Sequence, residues 1–575
     1  MIKDCLKVFE KILDSEDKII IENYIPADGT YIIISKEEER FKIKDIVNIK
    51  YNRKNNEIEG KTSFYYSDIC FYDYNSKVID MNKPIDKKKI IQSNNYLSFI
   101  IKKESLQNGK LNEERIDQYY EVLANPYLKY SDSKAKEIYK KTEENLGEVD
   151  KKELESIKTW IKTNIFNLDI DISGKDYLKI FFEYPYEKYS IESKRYLIPN
   201  IYNSNSFNIK INDEIFGLPN DNMGLNAKKP YLENKSRKIS VPYLIDSNEV
   251  NLQKKFFDYL MNLAIVGKVN VFISDNKIVG LNDGEFLNDE FNGIFLRLKK
   301  GKEVEIHYFD TITGYRPDLK KVFQFKDIFD MDTKDLIKEK YGTYKKKNEI
   351  QEIIDSVLFF SFLKNNYFRE ASDISIKDST VLKNMLISRN LIFDWLWKDR
   401  KSGVYPVLNK ITINLIKNSI NKGFFIKARH QFNFMCSIDN YFNGGLNMAD
   451  TLLKIKNDLR EKINSKDTEE FSSDKEYYFA VGQLVNYFIS KNKSKNKSQS
   501  LVNPFINSKS NKFIKDKLLN LYKKYNYDIE VNSKRFGNLY SMVLAYEAEG
   551  NIDQNMIIAG YLNSNLIYEK KEEEK

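Results

Sequence analysis

The sequence predicts an α+β protein: a mixed α/β N-terminal body, then a mostly helical part that ends in an α-helical bundle. Three observations carry this. Up to about residue 330, short β-branched and aromatic runs interleave with helical periods. Past residue 345 the apolar residues keep a helical spacing, and almost no strand-like run follows. The chain has 575 residues, 41% of them hydrophobic, enough for two to four globular cores. We divide it into segments 1–245, 246–447 and 448–575.

The elements follow in order. Residues 2–14 read as a short amphipathic helix with Leu6, Phe9 and Leu13 on one face. Lys18–Tyr24, Thr30–Ser35 and Ile46–Tyr51 read as strands, the first two joined at a turn through Ala27-Asp28-Gly29. Ile91–Phe99 follows a loop and reads as another strand. So do Leu178–Tyr184 and Val269–Ser274. Glu249–Val266 reads as a helix, and Ile294–Phe309 as a hairpin turning at Lys299–Lys302. Ile350, Ile353, Ile354, Val357, Leu358 and Phe362 keep a helical period, as do Val381, Leu382, Met385, Leu386 and Leu391. Further helices are expected at about 448–464, 475–490, 511–526, 535–547 and 553–568, before a charged tail.

Composition narrows the chemistry. The formal charge of +9 leans toward an anionic partner. The chain is also crowded with Lys, Asn, Ile and Tyr, which AT-rich codons favour, so clustering carries more weight than the total. Cys5, Cys70 and Cys436 are the three cysteines and form no CxxC, which argues against zinc fingers and a disulfide framework. With His307 and His430 as the only histidines, a catalytic triad or histidine-built metal site has little to work with. We expect no cofactor and no metal. The N-terminus is interrupted by charges and no apolar run approaches the roughly 20 residues of a membrane span. A cytoplasmic protein without a membrane partner is expected.

Three constellations suit nucleic acid. The first is Lys83-Pro84-Ile85-Asp86-Lys87-Lys88-Lys89, followed by Asn94 and Asn95. Pro84 disfavours helix before it, lysines on a loop suit phosphates, and asparagine pairs with adenine edges or caps turns. A solvated loop with an Asx-turn explains the same residues. The second is the Gly/Pro/Asn-rich stretch from Gly217 to Lys238, with Asn220, Asn222, Asn226, Lys228, Lys229, Arg237 and Lys238. Its freed backbone amides and cations suit a sugar-phosphate chain; a structural Ω-loop is the competing reading. The third is Lys491, Lys493, Lys495 and Lys497, followed by Lys512, Lys515, Lys517, Lys523 and Lys524 on the outer side of a helix, with Lys534 and Arg535 beyond. A basic outer face suits a nucleic-acid backbone and equally describes an ordinary solvated face.

Catalytic candidates are weak. Asp169 and Asp171 alternate in an expected strand and could share a Mg²⁺. Pro317-Asp318-Leu319-Lys320 matches only half of a nuclease PD…(D/E)xK pattern. Cys436 near His430 suggests a thiol nucleophile, against which a packed cysteine is the simpler reading.

Widely spaced pieces of the chain resemble the large subunit of the type I-B CRISPR surveillance complex, Cascade. They are Asp73–Lys77, Met81–Asp86, Ser93–Phe99, Gly217–Pro219, Asn226–Tyr231, Gly482-Gln483-Leu484, Asn538–Met542 and Ile558–Leu562. The likeness runs over essentially the full length and lies in order and spacing, since no piece is an enzyme signature. The resemblance implies a non-catalytic subunit at the 5′ end of the CRISPR guide RNA. It implies recognition of a protospacer-adjacent motif (PAM) in double-stranded target DNA, promotion of the R-loop with its displaced strand, and recruitment of a separate helicase-nuclease in antiviral defence. The implied partners are the backbone, 5′-handle and small subunits of Cascade. On this reading Lys87–Lys89 hold phosphates and Asn94 and Asn95 read or position bases. The family also makes its helical C-terminal part separately by internal initiation. Gly444-Gly445-Leu446-Asn447 precedes Met448, and paired glycine codons spell a purine-rich ribosome-binding run, so Met448 is the expected internal start. A helix boundary with two turn glycines accounts for the same residues. A stand-alone metal-dependent nuclease and a structural scaffold remain the alternatives.

Overall fold

The computed structural model describes residues 1–13, 18–38, 40–52, 54–77, 83–202, 205–219, 244–301, 303–332, 335–444, 448–467, 469–492, 499–530 and 533–569. The chain forms two compact units, Met1–Asp283 with Gly293–Thr311, and Gly284–Asn292 with Ile312–Lys575. The divisions between the two units fall inside the segment 246–447. The α+β class holds, with an N-terminal α/β body and a helical C-terminal region.

The first unit is built on a sheet of β1 (Gly29–Glu37), β2 (Arg40–Asn52), β3 (Glu57–Glu59), β4 (Ser98–Lys102) and β5 (Tyr177–Phe182), in the order β3-β2-β1-β5-β4. The β-branched run of β1 is buried on both faces, as a central strand requires. β1 pairs antiparallel with β2 and parallel with β5. The parallel pair needs a long crossover. The helices α1 (Ile2–Ile12) and α2 (Lys18–Glu22) precede β1, and the chain between β1 and β5 runs through β2 and β3, then α3 (Tyr66–Tyr74), β4, α4 (Lys103–Gln107), α5 (Glu113–Ala124), α6 (Ser133–Leu146) and α7 (Lys151–Asn164).

Lys179 of β5 and Asp73 of α3 form a buried ion pair at 2.7 Å, with side chains 6% and 1% exposed. The Tyr24 hydroxyl donates to the same carboxylate at 2.8 Å. The unit continues through α8 (Tyr186–Leu197), the hairpin β6 (Ile209–Ile211) and β7 (Glu214–Phe216), and α9 (Ser247–Ile265). A second sheet follows, of β8 (Asn270–Ser274), β9 (Lys277–Leu281), β10 (Phe291–Lys300) and β11 (Val304–Tyr315). Cys5, Leu6 and Phe9 of α1 share a core with Phe256, Phe257 and Leu260 of α9 and with Val271 and Leu296.

Three local expectations are corrected. Lys18–Glu22 is the helix α2, not a strand, so Ala27-Asp28-Gly29 is not a hairpin turn. Asp169 and Asp171 lie in irregular chain, where the Asp171 carboxylate accepts the Ser173 amide. Within Ile91–Phe99 regular strand begins only at Ser98, preceded by single bridges at Ile91 and Ser93.

The second unit carries the hairpin β12 (Asp318–Phe325) and β13 (Gly342–Lys346), then α10 (Lys347–Phe359), α11 (Ser379–Lys398), α12 (Val404–Asn421) and α13 (Phe425–Asn443). It ends in α14 (Met448–Asn464), α15 (Asp474–Ser490), α16 (Asn503–Ile506), α17 (Asn511–Tyr525), α18 (Lys534–Ala545) and α19 (Gln554–Leu562). α15 is apolar almost all round, and Tyr477, Phe479, Val481, Leu484 and Phe488 are fully buried, so it forms the axis of the bundle. α19 packs on it through Gly482 and Gly560. The Gln483 amide donates to the Gly560 carbonyl at 2.6 Å and accepts from the Leu566 amide at 2.8 Å. Ile416, Ile420, Phe432 and Met435 of α12 and α13 belong to the same core as the helices after Met448. No helix among the described residues is long and apolar enough to cross a membrane.

Candidate nucleic-acid interface

The loop 83–89 is organised by Asp86. Its carboxylate is buried and accepts the amides of Lys88 at 2.9 Å, Ile90 at 2.8 Å and Ile91 at 3.0 Å. The Asp86 carbonyl accepts the Lys89 amide at 2.9 Å, closing a turn in which Lys89 takes a positive φ of 62°. Lys87, Lys88 and Lys89 are all exposed on this turn. The backbone is therefore fixed from beneath while three ammonium groups face solvent. Such a platform can bind phosphates with little ordering cost to the backbone.

Two further cations secure the loop. The Lys129 ammonium donates to the carbonyls of Pro84 at 2.6 Å and Lys83 at 3.0 Å. Burial pushes Lys129 down to about 8, and the ammonium groups of Lys83 and Lys87 press in the same direction. Lys83 itself reaches the Tyr202 carbonyl at 2.5 Å, so it acts as a brace within the loop's base. Arg115 stands 3.5 Å from the Asp86 carboxylate. Asp86, Arg115 and Lys129 were not singled out by sequence. Asp86 has the residue type of an Asx-turn in a loop opened by Pro84. Lys129 stands 45 positions from its partner Pro84 and carries no local signal.

The expectation for Asn94 and Asn95 is corrected. Both are buried, Asn95 completely. The Asn95 amide donates to the carbonyls of Asn75 at 3.2 Å and Tyr189 at 3.1 Å, and its oxygen accepts the Leu97 amide at 3.1 Å. A side chain tied at every position has no group left for a base edge. The Asn94 main chain bonds to Ser76, and its side-chain oxygen is buried without a hydrogen-bond partner among the described residues. Their contacts tie the end of α3 to the approach to β4, and neither side chain is presented to solvent.

Asn220, Asn222, Asn226, Lys228, Lys229, Arg237 and Lys238 lie outside the described residues, as do Lys493, Lys495 and Lys497. Lys491 is described and half-buried, its ammonium 4.9 Å from the Tyr487 ring and 5.6 Å from Tyr568. On α17 the expected division holds: Ile514, Leu518, Leu521 and Tyr525 are buried, while Lys512, Lys523 and Lys524 are exposed. Lys515 is taken up by Glu547 at 2.7 Å. Met448 opens α14 and packs against the core.

The catalytic candidates do not assemble. His430 is occupied at both nitrogens, by the Tyr341 hydroxyl at 2.6 Å and the Asp335 carboxylate at 2.9 Å. Burial pushes the Cys436 thiol well up, away from the thiolate a nucleophile needs. Among the described residues no group of three or more His, Cys, Asp or Glu could hold a metal ion. No family model, curated protein or solved structure matches this chain.

Proposed function

We propose that this chain is the non-catalytic large subunit of a type I-B Cascade-like complex, which binds guide RNA and target DNA and promotes R-loop formation. The observation that supports the reading is the turn of Lys87, Lys88 and Lys89, held from beneath by Asp86 and Lys129, between two of the pieces that carry the family resemblance, Met81–Asp86 and Ser93–Phe99. It is a phosphate-binding platform and carries no base code of its own. Asn94 and Asn95 are buried, so on this reading they position the chain near the motif rather than meet it from the surface.

The test is a pull-down of the C-terminally tagged protein from its native host, with sequencing of bound RNA and mass measurement of every tagged species. Short RNAs with a constant 5′ handle, together with a fragment beginning at Met448, are the expected result. Full-length protein with no RNA and no fragment would reject the proposal in favour of a scaffold. Metal-dependent cleavage by the purified chain would favour a nuclease.

A further inference from the structure

Among the described residues, β12 and β13 of the second unit form a two-stranded ribbon that pairs with no other strand. Its register shifts between Asp318 and Phe323, and Lys320 and Lys321 lie in that bulge. Beyond the bulge Phe323 and Phe325 are buried, while Gln324 faces solvent opposite Thr343. Lys345 lies two positions from Thr343, so it shares that outer face, and it is exposed.

Cations collect at the bulged end. Asp399, which follows α11, is held by the Lys347 ammonium at 3.0 Å and the Lys320 ammonium at 3.5 Å. Arg400 and Lys401 come next in the chain and are exposed. Lys347 is only 1% exposed, and its ammonium has no hydrogen-bond acceptor among the described residues. Burial pushes this ammonium down from the usual lysine value, and the charges of Lys320 and Lys401 act in the same direction. One carboxylate therefore serves a crowd of cations, one of them set in the interior, where its field reaches furthest.

The neighbouring carboxylates are engaged elsewhere. Asp318 stands opposite Lys346 in register, and Glu349 accepts the amides of Lys345 at 3.2 Å and Lys346 at 3.0 Å. Glu290 pairs with Arg316, and Asp394 with Lys398. Lys401 lies over the Tyr441 ring, 5.2 Å from its centroid. The side chains of Lys345 and Arg400 make no ion pair or hydrogen bond among the described residues. Among the exposed residues of β12 and β13 only Val322 carries an apolar side chain. Protein partners dock on buried aromatic and aliphatic anchors, which this face lacks.

We infer that this end of the ribbon binds a phosphodiester backbone, with Lys345 and Arg400 holding phosphates. The planar fork of Arg400 suits two phosphate oxygens at once, and Lys345 supplies a mobile point charge. Lys347 adds to the field without touching the ligand. The inference goes beyond the lysine turn of the first unit and does not depend on it.

The test is fluorescence anisotropy on the full chain, over a series of salt concentrations. The probes are a short DNA duplex, single DNA and RNA strands of the same length, and polyglutamate. Lys345→Ala with Arg400→Ala should weaken nucleic acid about tenfold and flatten the slope of log affinity against log salt by about two, one for each lost contact. The same loss should appear in a chain whose Lys87, Lys88 and Lys89 are already alanine. Lys345→Arg alone keeps the charge and should keep the slope. Both positions are exposed, so an unchanged melting temperature separates lost binding from lost folding. Affinity and slope unaffected by the double substitution would overturn the inference, as would a parent chain that binds no nucleic acid. Polyglutamate bound as tightly, and lost in the same variant, would overturn it in favour of an acidic protein. The tightest of the three nucleic acids names the source of the phosphodiester. Failure here, with guide RNA still recovered from the host, leaves the Cascade-like reading standing.

Discussion

Gly482 and Gly560 lie against each other where α15 meets α19. A methyl group on Gly482 would come within 2.9 Å of the Gly560 carbonyl carbon, and one on Gly560 within 2.9 Å of the Phe479 carbonyl carbon. Backbone cannot yield as a flexible side chain can. Gly482→Ala and Gly560→Ala should each cost about 1–3 kcal/mol or more by overpacking. Gly537, in the exposed part of α18, has nothing within 4 Å of its Cβ position. Gly537→Ala should therefore gain about 0.5–1 kcal/mol. Urea denaturation of the three variants checks both signs.

Asp86→Ala removes the acceptor of three amides and should free the loop around it. Leaving buried donors unpaired costs about 1–3 kcal/mol. Trypsin should cut after Lys87, Lys88 or Lys89 faster in this variant than in the parent. Duplex DNA binding should weaken although no cation has been removed. Replacing Lys87, Lys88 and Lys89 by alanine should instead weaken all DNA sequences alike and flatten the salt dependence.

Lys129 has a stability signature in pH. Its folded-state value of about 8 lies below that of an unfolded lysine, near about 10.4. Between these values the unfolded chain binds more protons than the folded one, so this group makes stability rise with pH through that window. Its burial penalty is fully present below about pH 8. Thermal melts of the parent and of Lys129→Met from pH 7 to 10 should show the parent gaining on the variant as pH rises. Parallel curves would refute the assignment.

Asp73 and Lys179 should behave as a coupled buried pair. Asp73→Leu or Lys179→Met alone strands a charge and should cost about 3–5 kcal/mol. The double variant should cost less than the sum of the two. Denaturation of all four proteins in a double-mutant cycle measures the coupling.

The segment 448–575 shares its core with Ile416, Ile420, Phe432 and Met435. Excised at Met448, it should expose the apolar surface those residues cover and self-associate. Sedimentation above the monomer mass is expected, and a stable monomeric fragment would count against this packing.

Much of the helical architecture was legible because its signal is local. The spacing of Ile514, Leu518 and Leu521 defined the buried face of α17, and the lysines fell on the remainder. Failures occurred where distant contacts decide. Ile19-Ile20-Ile21 has the β-branched composition of a strand, but Ile20 is buried in the core formed by α1 and α9, and the segment is helical. Asn95 looked like a base reader because its type is ambiguous between recognition and scaffolding. Its partners at Asn75 and Tyr189 lie 20 and 94 positions away. The lysine turn was legible, while the brace supplied by Lys129 was not.

The packing of α1 on α9 also sets a schedule for the newborn chain. The ring of Phe256 lies 5.3 Å from that of Phe9 in the folded protein, but it is made far later than Phe9. At about 5–20 residues per second the ribosome needs on the order of 10–50 s to reach Phe256. During that interval Cys5, Leu6 and Phe9 lack the surface that α9 provides. The packing of α1 is thus completed only after α9 has been made, and until then its apolar face is open to the chaperones that attend translation.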